Sequence, residues 1–169
     1  MTLFLSSERL KADLLNDNVD DSYIRSATII AQRDLRELIG DCLYEALETK
    51  VDNDEIEDTV YQELLDNYIV PFLEFKAMGE LCVLTSFKVG NIGLFQNFDQ
   101  NANSTELNSV KYIQEYWQQK SNHYRGRLIK FLDNNADDVP EWMQCCNCGV
   151  ITSPSHNKID GVGLWLGGR

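Results

Sequence analysis

Histidine, long apolar runs and, in the first half of the chain, basic residues are all scarce here, and each scarcity removes a class of protein. Two histidines among 169 residues, His123 and His156, leave little room for general-base catalysis. No apolar stretch reaches the ~18–20 residues that span a bilayer, so no membrane-spanning helix is expected. The opening MTLFLSSERLKADLL lacks a basic n-region and a long apolar core, which argues against a secretory signal and for a soluble protein made and used in the cytosol. Residues 1–66 carry 6 basic against 17 acidic side chains, while residues 67–133 carry 7 and 6, and residues 134–169 carry 2 and 4. Sequence-independent nucleic-acid binding needs clustered Lys and Arg to displace counterions, so conventional DNA or RNA binding is not expected of the acidic half. That half reads as a solvated helix face, or as a surface that repels phosphate or docks on a basic partner.

The motifs of common chemistries are missing as well. There is no phosphate-binding glycine loop, no G-x-S-x-G and no H-E-x-x-H. The terminal GVGLWLGGR follows no strand and precedes no helix, so it is not a dinucleotide fingerprint. Asp52-Asn53-Asp54 and Asp133 to Asp137 resemble fragments of calcium loops, but both lack the central glycine and the closing glutamate. The five cysteines show no disulfide framework, in keeping with a reducing compartment. Cys42 and Cys82 fall on apolar helix faces. Cys145, Cys146 and Cys148 contain a C-x-x-C, but only His156 stands near and the second pair that structural zinc requires is missing. No catalytic, cofactor-binding or metal-ligating residue is therefore assigned, and the chain does not read as an enzyme.

What is present is helical periodicity. Ser6-Ser7-Glu8 caps a short helix over about 6–16. A second helix, about 20–49, carries Ile24, Ala27, Ala31, Leu35, Leu38, Cys42 and Ala46 at steps of three and four, with Ile30, Ile39, Leu43 and Leu47 widening the stripe. A third carries Val60, Leu64, Tyr68, Phe72, Phe75, Met78, Cys82 and Val83. Pro71 lies inside it, and predicts a kink or two abutting helices at 68–72. Gly90 to Gly93 ends that segment, and residues 94–104 read as a polar loop. The fourth helix shows an inner face of Val110, Ile113, Trp117, Tyr124, Leu128 and Phe131.

The fold class is therefore all-α: a four-helix bundle-like body over residues 1–133, with one short and three longer helices. An irregular, extended C-terminal arm follows over residues 134–169. Pro140, Pro154 and four closing glycines bar long helices in the arm, yet it is too apolar for a plain linker. Some of its apolar residues fold back on the body or add to a neighbouring chain. Trp142, Met143, Leu164, Trp165 and Leu166 are the candidate partner-binding anchors, because aromatic residues dominate interface hot spots. Removing residues 140–169 is expected to leave a folded helical monomer.

The run ATIIAQRDLRELIGDCLYEAL resembles a segment of tailed-bacteriophage head–tail connector (adaptor) proteins, on Ile30, Ala31, Gln32, Leu35, Leu38, Ile39, Gly40, Leu43, Tyr44 and Leu47. YQELLDNYIVPFLEFKAMGEL and HYRGRLIKFLDNNADDVPEW continue the likeness. The opening MTLFLSSERLKADL resembles the branch found in crAss-like phages, and the likeness covers roughly residues 1–142. It implies a short helical bundle that assembles with copies of itself into a ring, commonly a dodecamer, under the portal protein. The ring extends the DNA channel toward the next tail or connector ring, with a C-terminal segment gripping the portal. DNA would pass through without sequence-specific binding, and the acidic half suits a conduit because repulsion keeps DNA from sticking. The resemblance implies no cofactor, no catalytic residue and no membrane, and a place at the head–tail interface of a virion assembled in the host cytoplasm. The CCNCGVITSPSHNK stretch departs from the family, so the arm's partner stays open between portal, neighbouring subunit and next ring. The alternative is a small intracellular helical adaptor that binds a partner through the same arm.

Overall fold

Short polar side chains start the first two helices, and the core assembles from the stripes that follow them. The computed structural model describes residues 2–15, 18–56, 59–90, 93–96 and 107–146, and these form an all-α fold carrying one two-stranded hairpin. Helix α1 (Ser7–Asp13) is capped by Ser6, whose hydroxyl accepts the Arg9 N–H at 3.2 Å. Helix α2 (Asp21–Ile39) is capped by Asp20, whose carboxylate accepts the Ser22 N–H at 2.8 Å. That bond to the backbone N–H holds Asp20 below the usual carboxylate range.

The single helix expected over 20–49 is in fact two. Gly40 adopts φ 80° and ψ 160°, and α3 (Asp41–Asp52) starts immediately after it. That backbone region is open essentially to glycine alone. The apolar repeat runs unbroken through Leu38, Ile39, Leu43 and Leu47, all buried, so periodicity does not register the bend. Arg36 spans it, donating to Asp41 at 2.5 Å and to Glu45 at 2.9 Å.

The break expected at 68–72 takes a definite form. Helix α4 (Val60–Leu64) passes into a π-helical turn (Leu65–Ile69) and then α5 (Val70–Ser86), with Pro71 in the first turn of α5. A proline inside an α-helix removes one N–H and crowds the carbonyl of the preceding turn. The wider π turn just ahead of Pro71 relieves that crowding without ending the helical run. Helix α5 is apolar on more than one side, burying Phe72, Leu73, Ala77, Met78 and Leu81, and it lies between α2 on one side and α6 (Leu107–Asn134) on the other. Lys76 of α5 bridges to Asp34 of α2 at 2.8 Å, and Arg9 of α1 reaches Glu74 of α5 at 2.9 Å. Burial pulls Lys76 down, but the bonds and charges of Asp34 and Glu80 outweigh it and leave the ammonium raised.

The connections between the helices also differ from the expected ones. Strands β1 (Phe87–Gly90) and β2 (Gly93–Gln96) pair antiparallel, from Phe87 opposite Gln96 to Gly90 opposite Gly93. The segment read as helix end and polar loop thus begins as a hairpin closed by a glycine pair. The body also does not stop at residue 133. The Asn135 side chain donates to the Phe131 carbonyl at 2.8 Å, and the Asp138 and Val139 N–H groups bond the Asn135 carbonyl at 3.0 Å. The chain turns back there, and α7 (Pro140–Cys146) packs on α3. Proline at the first position of α7 sacrifices no intrahelical bond.

One buried polar group ties the amino-terminal segment down. Gln32 is fully enclosed; its amide donates to the Thr2 carbonyl at 2.5 Å and the Tyr44 hydroxyl at 2.6 Å. Its oxygen accepts the Phe4 N–H at 3.2 Å. A fully bonded buried amide of this kind fixes one register for residues 2–5 against α2 and α3.

Candidate interaction surface

The inner side of α6 is a row of aromatic contacts. Trp117 lies 5.9 Å from Phe75 of α5, Phe75 lies 5.3 Å from Tyr124, and Tyr68 stacks on Phe131 at 4.4 Å. The Arg127 guanidinium sits 5.4 Å from the Tyr68 ring centre and 5.5 Å from that of Tyr124. Contacts of this type contribute about 0.5–1.5 kcal/mol each beyond area burial. Gly79 faces α6 without being required for the approach: a Cβ placed there would meet the Trp117 Cβ at 3.7 Å, which is ordinary contact.

The outer side of α6 is different. Tyr112, Tyr116, Gln119, His123, Gly126 and Lys130 recur at steps of four and three and all face solvent. Tyr112 is 72 % exposed, Tyr116 44 % and Ile113 42 %. Ile113 thus belongs to the outer side rather than to the inner face on which the sequence placed it. Tyr116 meets Trp117 edge-on at 5.0 Å, and the Lys120 ammonium lies 5.5 Å from the Tyr116 ring centre. The ridge is therefore continuous with the aromatic row beneath it. Gly126 has open space around the position a Cβ would take.

Charge divides the fold. Helix α6 carries Lys111, Lys120, Arg125, Arg127 and Lys130 against Glu115 and Asp133, within a chain of net charge −12. Helix α3 carries Asp41, Glu45, Glu48 and Asp52 at steps of four, three and four against Lys50. The two helices have different packing partners: α5 and the π turn for α6, α2 and α7 for α3.

Of the five anchors expected in the arm, two fall within the described residues. Trp142 is 1 % exposed, and its indole N–H donates to Asp133 at 3.2 Å. It is a core residue, and its assignment as an exposed anchor is corrected: the turn at Asn135 swings α7 back over α3 and closes the bundle. Beside it the Tyr61 hydroxyl donates to Glu141 at 2.7 Å, and burial together with that bond raises the phenol well above its ordinary value. Met143 is 40 % exposed and stays on the surface. Leu164, Trp165 and Leu166 lie outside the described residues, as does Cys148. The tyrosines of the α6 ridge were missed, although Tyr112 and Tyr116 sit four residues apart and off the apolar stripe.

Other features offer less chemistry. A shallow hollow of about 350 Å³ is lined by Gln32, Arg33, Arg36, Tyr44 and Glu48, with Arg36 already paired to Asp41 and Glu45. Among the described residues no cluster of His, Cys, Asp and Glu is placed to hold a metal ion, and no helix is long and apolar enough to cross a membrane. Cys82 is half-buried, and burial pushes its thiol up, away from the reactive thiolate.

No curated protein and no solved structure matches the chain. A family of unknown function, DUF6712, matches residues 35–152, a stretch that runs from the second half of α2 through α7 and contains both the α6 ridge and the α3 carboxylates. With more than two thirds of its length matched, the chain belongs to the DUF6712 family.

Proposed function

We propose that this chain is a structural subunit of a bacteriophage head–tail connector ring, which docks under the portal, extends the DNA channel and links capsid to tail. The observation that carries this reading is the outer side of α6. A well-packed helical body presents Tyr112, Ile113 and Tyr116 to solvent as one continuous surface. Exposed aromatic surface backed by a rigid row of rings is what a chain completed by another polypeptide requires. The class of assembly comes from the likeness of Ile30 to Leu47 to connector proteins. In this reading the partners are further copies, the portal and the adjoining tail or connector ring, with DNA passing through unread and no membrane involved. The acidic first half supports a channel wall, since carboxylates repel phosphate. The site of action is the head–tail interface of the virion, reached after assembly in the host cytoplasm.

The test is co-expression with the portal protein of the same phage, followed by affinity purification through the portal and mass photometry. A portal complex enlarged by a ring of this chain is the expected result. A bare portal, with the chain instead bound to an unrelated host protein, would replace this reading with that of a small helical adaptor.

A further inference from the structure

We infer that the α6 ridge is a docking site for α3 of a second copy of this chain, so that copies join head to tail. The inference rests on the connector reading above only for the number of copies; the contact itself is argued from charge and spacing. Tyr112 and Tyr116 form the apolar, amino-terminal end of the ridge, while Lys120 flanks it farther along and Lys130 ends it. These two lysines are ten residues apart, about 15 Å of helical rise. On α3, Asp41 and Asp52 are eleven residues apart, about 16.5 Å of rise, on a stripe with Glu45. The rows of opposite charge therefore match in length to within a turn of helix. Arg36 shares the charge of Asp41 and Glu45, and Thr2 donates its N–H to Glu48 at 2.7 Å and its hydroxyl to Asp52 at 2.6 Å, yet four carboxylates against one guanidinium keep the stripe net negative. The two surfaces do not overlap, since α6 packs on α5 and α3 packs on α2 and α7. One copy can thus offer both at once. A contact between two different patches propagates, closing into a ring when the rotation permits and otherwise extending as a filament. Gly126 on the same ridge removes side-chain bulk where a partner helix approaches.

Two charge-reversed pairs test this: Lys120→Glu with Lys130→Glu on α6, and Glu45→Lys with Asp52→Lys on α3. Sedimentation velocity is run at about 0.05 M salt, where exposed charges still interact over more than ~10 Å, and again at about 1 M, where they are screened. Wild type is expected to self-associate at low salt and to weaken at high salt, and each variant alone to associate at least ~10-fold more weakly. An equimolar mixture of the two variants is expected to recover association, because the acidic α6 of one then meets the basic α3 of the other. Circular dichroism confirms that both variants fold, and Tyr112→Ser with Tyr116→Ser gives a charge-neutral route to the same loss. Wild type that stays monomeric, variants that associate like wild type, or a mixture that fails to recover would each overturn the contact. Portal-bound rings that survive both reversals would remove this interface and leave the connector reading standing; wild type that self-associates as expected but forms no ring on portal would remove the connector reading and leave the contact.

Discussion

Replacing Trp142 with alanine empties the space that α7 fills against α3. The indole is 1 % exposed and is among the largest fully buried side chains of the described residues. Truncating an aromatic residue in such a place destabilises by about 3–5 kcal/mol, through lost burial and the cavity left behind. The lost bond to Asp133 is secondary, because that carboxylate is only partly buried and water can replace the indole N–H. Domains are stable by only about 5–15 kcal/mol, so the change removes a large fraction of the total. At ~2–4 °C per kcal/mol for a chain of this length, the melting temperature should fall by about 6–20 °C. Thermal denaturation followed by far-ultraviolet circular dichroism measures that fall and urea titration the free energy, with Trp142→Phe as the milder comparison. Deleting residues 140–169 should lower the midpoint at least as far as the point substitution. A Trp142→Ala protein within about 0.5 kcal/mol of wild type would refute the packing of α7 into the body.

Three more outcomes are expected. Gly126→Ala should stabilise the chain by about 0.8–1 kcal/mol, because alanine suits a helix interior better and the site has room, which thermal denaturation will register. Gly40→Ala should destabilise it by roughly 1–3 kcal/mol, since a side chain at φ 80° and ψ 160° is strained, and the loss should appear in the same assay. Tyr61 is raised above its ordinary value of 10.0 by burial and by its bond to Glu141, so its contribution is complete below pH 10 and is lost as pH rises beyond. Tyr61→Phe should accordingly flatten the alkaline limb of a stability–pH curve measured by urea midpoints.

Periodicity exposed the helices because burial is one-sided over many turns; Ile24, Ala27, Ala31, Leu35 and Leu38 all reach the core as their spacing implied. It could not expose features that depend on one residue or on distant contacts. The bend at Gly40 leaves the apolar stripe intact, so only the glycine itself marks it. Strands β1 and β2 have four residues each, too short for alternation to stand out from a helix end. Ile113 lies at the edge of the inner stripe, and whether it is covered depends on where α5 ends, not on local sequence. Trp142 was misread for a related reason: an apolar residue after a proline looks the same whether it meets a neighbour or its own bundle. The turn that decides the matter is held by Asn135, whose bond to Phe131 appears only in three dimensions.

Electron cryomicroscopy of the wild-type chain assembled on its phage portal tests the central claim most directly. The expected map shows a closed ring coaxial with the portal, each copy laying the outer side of α6 on its neighbour's α3, with Lys120 and Lys130 against the carboxylates. A portal with no added ring, and the chain still a lone monomer beside it, would contradict the account.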